Sequence, residues 1–214
     1  LFKNYGINSL DDKKVNRDEL LKMCDLSASN ETMVIGMVGR LTSQKGLDLV
    51  QCVLNDILEK DVRMIVLGTG DYDYEQMFMH AKWEHPDKIS TNIMFSADLA
   101  NKIYAGCDLF LMPSLFEPCG LAQMIAMRYG TLPLVRETGG LKDTVQPYNQ
   151  FTGEGTGFSF ANYNAHEMLH VIEEAAALFR HDRKAWRQLQ INAMNRDFSW
   201  DRSAQAYLDL YQSI

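Results

Sequence analysis

Two cations in this sequence follow a short apolar run at a spacing that suits phosphate binding. Arg40 and Lys45 lie in Gly39-Arg-Leu-Thr-Ser-Gln-Lys-Gly46, directly after the run 33–38. An arginine can grip a phosphate through two hydrogen bonds, and a lysine supplies a compact second charge. Stabilisation of a departing diphosphate is the obvious use of such a pair. Two solvated loop cations are the simpler alternative.

A carboxylate, Glu117, ends the stretch 108–117, and Pro118 follows it. Because proline suits the first position of a helix, the sequence predicts a strand that hands over to a helix here. In a parallel α/β sheet this rim is where ligands bind, with helix N-termini aimed at them. A carboxylate that only complements the helix dipole, worth about 0.5 kcal/mol, is the alternative.

Two glycine-containing loops also follow predicted strands, namely Gly68-Thr-Gly-Asp71 and Glu137-Thr-Gly-Gly140. Small residues let a ligand approach the backbone closely, and the second loop could offer amides to an anion. Both segments can equally be ordinary tight turns. The first does not complete G-x-G-x-x-G, because position 73 is Asp. A nicotinamide-dependent dehydrogenase therefore loses support.

The elements that must position these loops alternate between strand and helix. Apolar runs predict strands at 33–38, 62–67, 92–95, 108–112 and 131–135. Helical patterns are predicted at 17–24, after Gly46, at 72–84, at 98–106, after Glu117, from Gly139, and at 164–180, 182–195 and 200–213, the last capped by Ser199. This alternation predicts one α/β domain over 1–214, a Rossmann-like, doubly wound parallel sheet with extra C-terminal helices. The loops above then converge on one sheet edge.

Composition excludes several classes of function. The chain has 214 residues, 46% of them hydrophobic, and a formal charge of −7, which argues against a general nucleic-acid surface. No apolar run approaches the roughly 20 residues of a membrane span.

Four cysteines without C-x-x-C spacing are predicted to be reduced, and His166 and His170 are predicted to be surface residues. The chain starts at Leu1 without a signal segment, so we expect a cytoplasmic protein and the back part of a longer one.

Five segments of the sequence carry a family resemblance, namely Gly39–Gly46, Phe116-Glu-Pro-Cys-Gly-Leu121, Tyr129-Gly-Thr-Leu-Pro-Leu-Val135, Thr138-Gly-Gly-Leu141 and Asp197-Phe-Ser-Trp200. Together they resemble the ADP-glucose-dependent glycogen and starch synthases of bacteria and plants. The resemblance runs in order across almost the whole chain. It implies the C-terminal, nucleotide-sugar-binding half of a retaining GT-B glycosyltransferase of family 5, which needs no metal and no other cofactor.

The resemblance also implies roles for individual residues. Arg40 and Lys45 would neutralise the ADP phosphates as they leave, and Glu117 would hold the glucose hydroxyls and support positive charge at the anomeric carbon. The implied nucleotide- and sugar-binding residues are Gly68, Gly70, Asp71, Phe95, Cys119, Gly120, Leu121, Thr138 and Gly139. Phe95 would stack on adenine, where we would expect a tyrosine. Ile125 replaces the second glutamate of many relatives, and Ala122 replaces a commoner hydroxyl residue.

The implied partners are ADP-glucose, an α-glucan and a missing N-terminal GT-B domain, contacted by 1–30 and 199–214. Trp200, Tyr207, Leu208 and Tyr211 would then form an exposed apolar stripe that could promote self-association. The fragment is expected to bind ADP-glucose weakly without extending glucan. The location would be the bacterial cytoplasm, or a plastid in a plant. A non-catalytic nucleotide-sugar or glucan-binding module, or another transferase such as a sucrose or trehalose synthase relative, is the alternative.

Overall fold

The computed structural model describes residues 1–213, and its centre is a six-stranded sheet in which all paired strands are parallel. The strands are β1 (Met33–Val38), β2 (Val62–Leu67), β3 (Ile89–Asn92), β4 (Leu109–Met112), β5 (Leu132–Arg136) and β6 (Phe158–Phe160). Their order is β3-β2-β1-β4-β5-β6. The chain winds outward from β1 to β3, then returns to the other side of β1 at β4. This confirms the doubly wound, Rossmann-like fold.

Helices cover both faces of the sheet. They are α1 (Lys13–Met23), α2 (Leu47–Glu59), α3 (Tyr72–Glu84), α4 (Ala97–Gly106), α5 (Ala122–Arg128), α6 (Gly139–Thr144), α7 (Ala165–His181), α8 (Arg183–Met194) and α9 (Trp200–Gln212). Short 3₁₀ turns precede α1 and α2, at Ile7–Asp12 and Ser43–Lys45. The predicted C-terminal segment 199–214 ends at position 214, which lies outside the described residues. Within residues 1–213, no helix combines the length and apolar character needed to cross a membrane.

The core has two parts because side chains of a strand alternate between the two faces of its sheet. Along β1, Met33, Ile35 and Met37 belong to the larger cluster, and Val34 belongs to the smaller one beneath α1 and α4. The strands are buried almost throughout. Near-continuous apolar strands of this kind are what a sheet covered on both faces requires.

Two predicted elements differ from the structure, and one strand was missed. The strand expected at 92–95 lies at Ile89–Asn92, and β6 was not predicted at all. The helix expected to begin at Pro118 begins at Ala122. Gly120 has a positive φ of 71°, and this turn interrupts the helical path between the proline and α5.

Several smaller predictions are confirmed. Ser199 caps α9, its hydroxyl accepting from the Arg202 N–H at 3.4 Å. The four cysteines are free, and both predicted surface histidines, His166 and His170, are exposed. The stripe on α9 is also exposed: its members are Trp200 (89%), Tyr207 (63%), Leu208 (52%) and Tyr211 (69%).

Candidate donor site at the sheet edge

The strand order reverses between β1 and β4, which are neighbours in the sheet; this position is the topological switch point. In doubly wound sheets, ligands bind in the crevice at the carboxyl ends of the two strands that flank this point. The loop after β1 carries Arg40 and Lys45, and the loop after β4 carries Glu117. All three line one cavity of about 110 Å³, here called the central cavity, together with Gly120 and Leu121. The topology therefore brings the predicted charged residues together.

Lys45 and Glu117 form a hydrogen-bonded ion pair within the central cavity. Their side chains are only 24% and 12% exposed, so the pair is largely withdrawn from water. The family resemblance implies that the two residues contact different parts of a ligand, and a direct bond between them is not predicted from the sequence. Lys45 thus balances the negative charge of the Glu117 carboxylate.

Arg40 differs from Lys45 in that its guanidinium has no partner among residues 1–213. Its side chain is exposed, and within the described part of the chain no residue forms a hydrogen bond or ion pair with its guanidinium. Arg40 also lines a second cavity, described below. Its donors are therefore free to bind an incoming anion.

The two loops are held together by their backbones at Gly46. This residue has a φ of +73°, and a Cβ here would overlap the carbonyl oxygen of Pro113. Beside it, the Leu115 N–H donates to the carbonyl of Gln44 at 2.9 Å. The loop after β1 therefore packs directly on the loop after β4. This packing places Lys45 beside Glu117.

Replacing Gly46 with alanine is expected to lower the free energy of unfolding by about 2 kcal/mol, because both the positive φ and the close approach disfavour a side chain. Urea unfolding followed by circular dichroism measures this. Gly39→Ala is the matched control, since a Cβ at Gly39 would meet no atom within 4 Å. Equal effects of the two substitutions would contradict the proposed constraint.

The loop after β5 packs on the same segment. The Gly140 N–H donates to the carbonyls of Glu117 and Pro118, each at 3.1 Å, and Gly139 adopts a φ of +44° where a Cβ would overlap the Glu117 carbonyl. Thr138 is the N-cap of α6, and neither it nor Gly139 lines the central cavity. Cys119 is exposed and also lies outside the cavity lining.

Two residues that the sequence analysis missed fix the Glu117 loop from either side. Arg136, at the end of β5, donates to the carbonyl of Ser114 at 2.9 Å and also to that of Leu115. Gln123 is fully buried and donates to the carbonyls of Cys119 and Gly120 at 3.1 and 2.9 Å. The sequence signal for Arg136 was a cation directly after an apolar run. The signal for Gln123 was a lone amide in an apolar helical pattern.

A second cavity of about 410 Å³, the side cavity, adjoins the first and shares Val38, Gly39 and Arg40 with it. Gly68 and Phe95 line it, and the Phe95 ring is 93% exposed. Gly70 and Asp71 lie outside both cavities. The Gly70 N–H already donates to the carboxylate of Glu75, at 2.8 Å.

This doubly wound sheet, with cations and a carboxylate at its switch point, is a Rossmann-like domain of the kind found in GT-B glycosyltransferases. The sequence model of the family Glycosyl transferases group 1 matches residues 18–192. The chain therefore belongs to the glycosyl transferases of group 1.

Individual relatives are more specific. The chain is 54% identical over 214 residues to a glycogen synthase of Clostridium acetobutylicum and 53% identical over 210 residues to one of Bacillus cereus. It spans about 45% of the length of these curated relatives. Among solved structures, it matches the catalytic domain of starch synthase IV from Arabidopsis thaliana, bound to ADP and acarbose, with a TM-score of 0.91 and 33% identity over 100% of this chain and 45% of that one.

A more distant neighbour shares the fold alone. Sucrose-phosphate synthase from Thermosynechococcus elongatus aligns with a TM-score of 0.63 and 19% identity, covering 98% of this chain and 52% of that one.

Proposed function

We propose that this chain is the donor-binding domain of a retaining glucosyltransferase that moves glucose from ADP-glucose to the non-reducing end of an α-1,4-glucan. The observation that carries the proposal is the charge arrangement at the switch point: a free guanidinium, Arg40, beside the Lys45–Glu117 pair. Relatives named glycogen synthase, and a starch synthase bound to ADP and acarbose, support the choice of donor and acceptor.

The proposed chemistry divides the central cavity between the two parts of the donor. The bond between the anomeric carbon and the β-phosphate oxygen breaks, and its electron pair stays with ADP. Arg40 and Lys45 offset the charge that develops on the diphosphate, and Glu117 stabilises positive charge on the sugar. The oxygen of the glucan hydroxyl forms the new bond to the anomeric carbon, and its proton passes to the departing β-phosphate oxygen of ADP. We propose that no metal ion takes part, which activity in the presence of a chelator checks.

We also propose that this chain supplies only one wall of the catalytic cleft. A GT-B reaction needs both walls of the cleft, because positioning of the reactants supplies much of the rate. The chain has 45% of the length of its relatives, and the apolar stripe of α9 is exposed. We therefore expect the chain alone to bind ADP-glucose without extending glucan, and the stripe to pack on the remaining part of a longer enzyme. A cytoplasmic location belongs to the same proposal, and imaging of a tagged protein tests it.

Calorimetric titration of the chain with ADP-glucose and with UDP-glucose tests the donor assignment. Saturable heat with ADP-glucose, several times weaker with UDP-glucose and lost in Arg40→Ala, is the expected result. Absence of heat with either nucleotide sugar would leave only a scaffold role. Glucan extension by the isolated chain would overturn the claim that a second domain is needed.

Phe95 provides a second test, at the base end of the donor. Phe95→Ala is expected to weaken ADP binding about 10-fold, since stacking of a base on an aromatic ring contributes about 1–3 kcal/mol. Phe95→Tyr, which keeps the ring, should bind within about twofold of the unchanged protein. Phe151→Ala removes an equally exposed ring (89%) that does not line the side cavity and should have no effect. A normal affinity in Phe95→Ala would exclude the stacking role.

A further inference from the structure

A third cavity lies at the opposite edge of the sheet and has no part in the proposed donor site. It measures about 410 Å³ and is here called the far cavity. Its lining includes Asp108, which directly precedes β4 and so marks the amino-terminal ends of the strands. Five cationic side chains and two carboxylates line it, namely Lys13, Lys14, Arg17, Arg183 and Arg187 with Asp11 and Asp108. We propose that the far cavity binds a small phosphate-bearing metabolite.

The two carboxylates do not balance this positive charge. Asp108 is buried and already accepts from the Arg17 Nε at 3.3 Å and from the Val34 N–H at 2.9 Å. Asp11 pairs with Arg187 at 2.8 Å, but its side chain is 91% exposed. An ion pair so open to water contributes little, and a phosphate can displace it. Asp18, outside the lining, pairs with Lys14 at 2.7 Å, but five cations against three carboxylates still leave an excess of positive charge in a chain whose net charge is −7.

Arg183 is the clearest unbalanced cation. Its guanidinium lies 3.7 Å from the centre of the Phe179 ring and donates to the carbonyl of Asn30. Across the described residues, no carboxylate forms an ion pair with it. Burial lowers the pKa of Arg183; the nearby Asp108 carboxylate opposes this effect, and Arg17 adds to it. An anion in the cavity would supply the missing partner.

Two helices begin at the far cavity with cations in their first turns. Lys13 and Lys14 open α1, and Arg183 opens α8. The N-terminus of a helix carries partial positive charge, so cations here are unfavourable for folding, whereas an anion is favoured. Asp12, which precedes α1, makes no side-chain cap hydrogen bond, whereas Asp182 caps α8 by accepting from the Ala185 N–H at 2.9 Å; neither residue lines the cavity. The positive potential in the cavity therefore comes mainly from its cationic side chains.

The shape of the far cavity favours a small molecule. Its volume falls within the range of about 300–1,000 Å³ that is common for small-molecule sites. Arg183, Trp186, Arg187 and Gln190 line one wall at the spacing of a single helix face. Trp186 is buried, and its indole N–H has no acceptor among the described residues. Lys13 closes the base, donating to the Ala105 carbonyl at 2.8 Å, and burial lowers its pKa to about 8.

The test uses Trp186 as a local reporter. Trp83 and Trp200 are 77% and 89% exposed, so Trp83→Phe and Trp200→Phe leave Trp186 as the remaining tryptophan without disturbing the core. Arg40→Ala in the same protein weakens phosphate binding at the donor site. Emission of Trp186 is then followed during titration with inorganic phosphate, pyrophosphate and glycerol phosphate at constant ionic strength. We expect a saturable change, and the three probes distinguish a free phosphate ion from a phosphate ester.

Three substitutions decide whether the change reports this cavity. Arg183→Gln and Arg187→Gln should each raise the dissociation constant about 10-fold, since each removes a charged hydrogen-bond donor. Lys184 is a neighbouring cation on α8 that does not line the cavity, so Lys184→Gln should change the dissociation constant less than about twofold. If Arg183→Gln unfolds, as circular dichroism would show, Arg187→Gln decides alone.

Equal effects of all three substitutions, no saturable change, or the same change with sodium chloride would overturn the proposal. The result is independent of the donor assignment, which calorimetry with ADP-glucose tests at the other edge of the sheet.

Discussion

Replacing Glu117 with glutamine should reduce glucosyl transfer by about 100- to 1,000-fold, the usual effect of removing one preorganised electrostatic contact. Glutamine keeps the shape of the side chain but cannot balance positive charge on the sugar. ADP binding should change by less than about threefold, because Lys45 and Arg40 remain. Under the proposed function, joining the chain to the amino-terminal half of the Clostridium acetobutylicum glycogen synthase would supply both walls of the cleft. Glucan extension from ADP-glucose then gives the rate.

Glu137→Gln is the matched control for this substitution. Glu137 follows β5 at the same sheet edge, but its carboxylate accepts from Ser159 at 2.9 Å and lies 3.7 Å from Lys142, away from the central cavity. Its replacement should leave the rate within about threefold. A Glu117→Gln enzyme that retained more than a tenth of the activity would show that the carboxylate does not support the transition state.

The buried strands are the part of the fold that the sequence predicts best. The apolar runs at 33–38 and 62–67 coincide with β1 and β2, because strands covered on both faces must be apolar throughout. The same physics explains two failures. The sequence of β3 is Ile-Ser-Thr-Asn, and β6 has only three residues, so neither carries an apolar run. Both depend on pairing with a neighbouring strand, which a local pattern cannot show.

The predicted start of α5 was wrong for a different reason. Proline favours a first helical position locally, but Pro118 lies in a segment that packs against the loop after β5. The Gln123 side chain holds the carbonyls of Cys119 and Gly120, which fixes the turn at Gly120 before the helix begins. Tertiary contacts thus overrode the local preference.

For the site, the sequence indicated which edge of the sheet would carry Arg40, Lys45 and Glu117 but not their pairing. Lys45 and Glu117 are 72 residues apart, and their contact depends on how closely Gly46 approaches Pro113. The far cavity was invisible in the sequence for the same reason. Its walls come from α1 and α8, near opposite ends of the chain.

The two cations of the central cavity should behave differently when removed. Lys45→Ala leaves Glu117, whose side chain is 12% exposed, without its partner, so the free energy of unfolding should fall by about 1–3 kcal/mol. Arg40→Ala removes an exposed, unpaired group and should change stability by less than about 0.5 kcal/mol. Both should weaken ADP binding, each by about 10- to 100-fold, because each loses a charged contact to phosphate. Urea unfolding and calorimetry with ADP separate the two effects.

The double variant Lys45→Ala with Glu117→Ala tests the pair itself. Removing both charges eliminates the unpaired buried carboxylate, so the double variant should be more stable than Lys45→Ala alone although it lacks one more side chain. ADP binding should not recover, since the lysine is absent in both proteins. Additive losses of stability would mean that the pair is no more than a surface contact. In that case Lys45 would act on the phosphates without holding Glu117 in place.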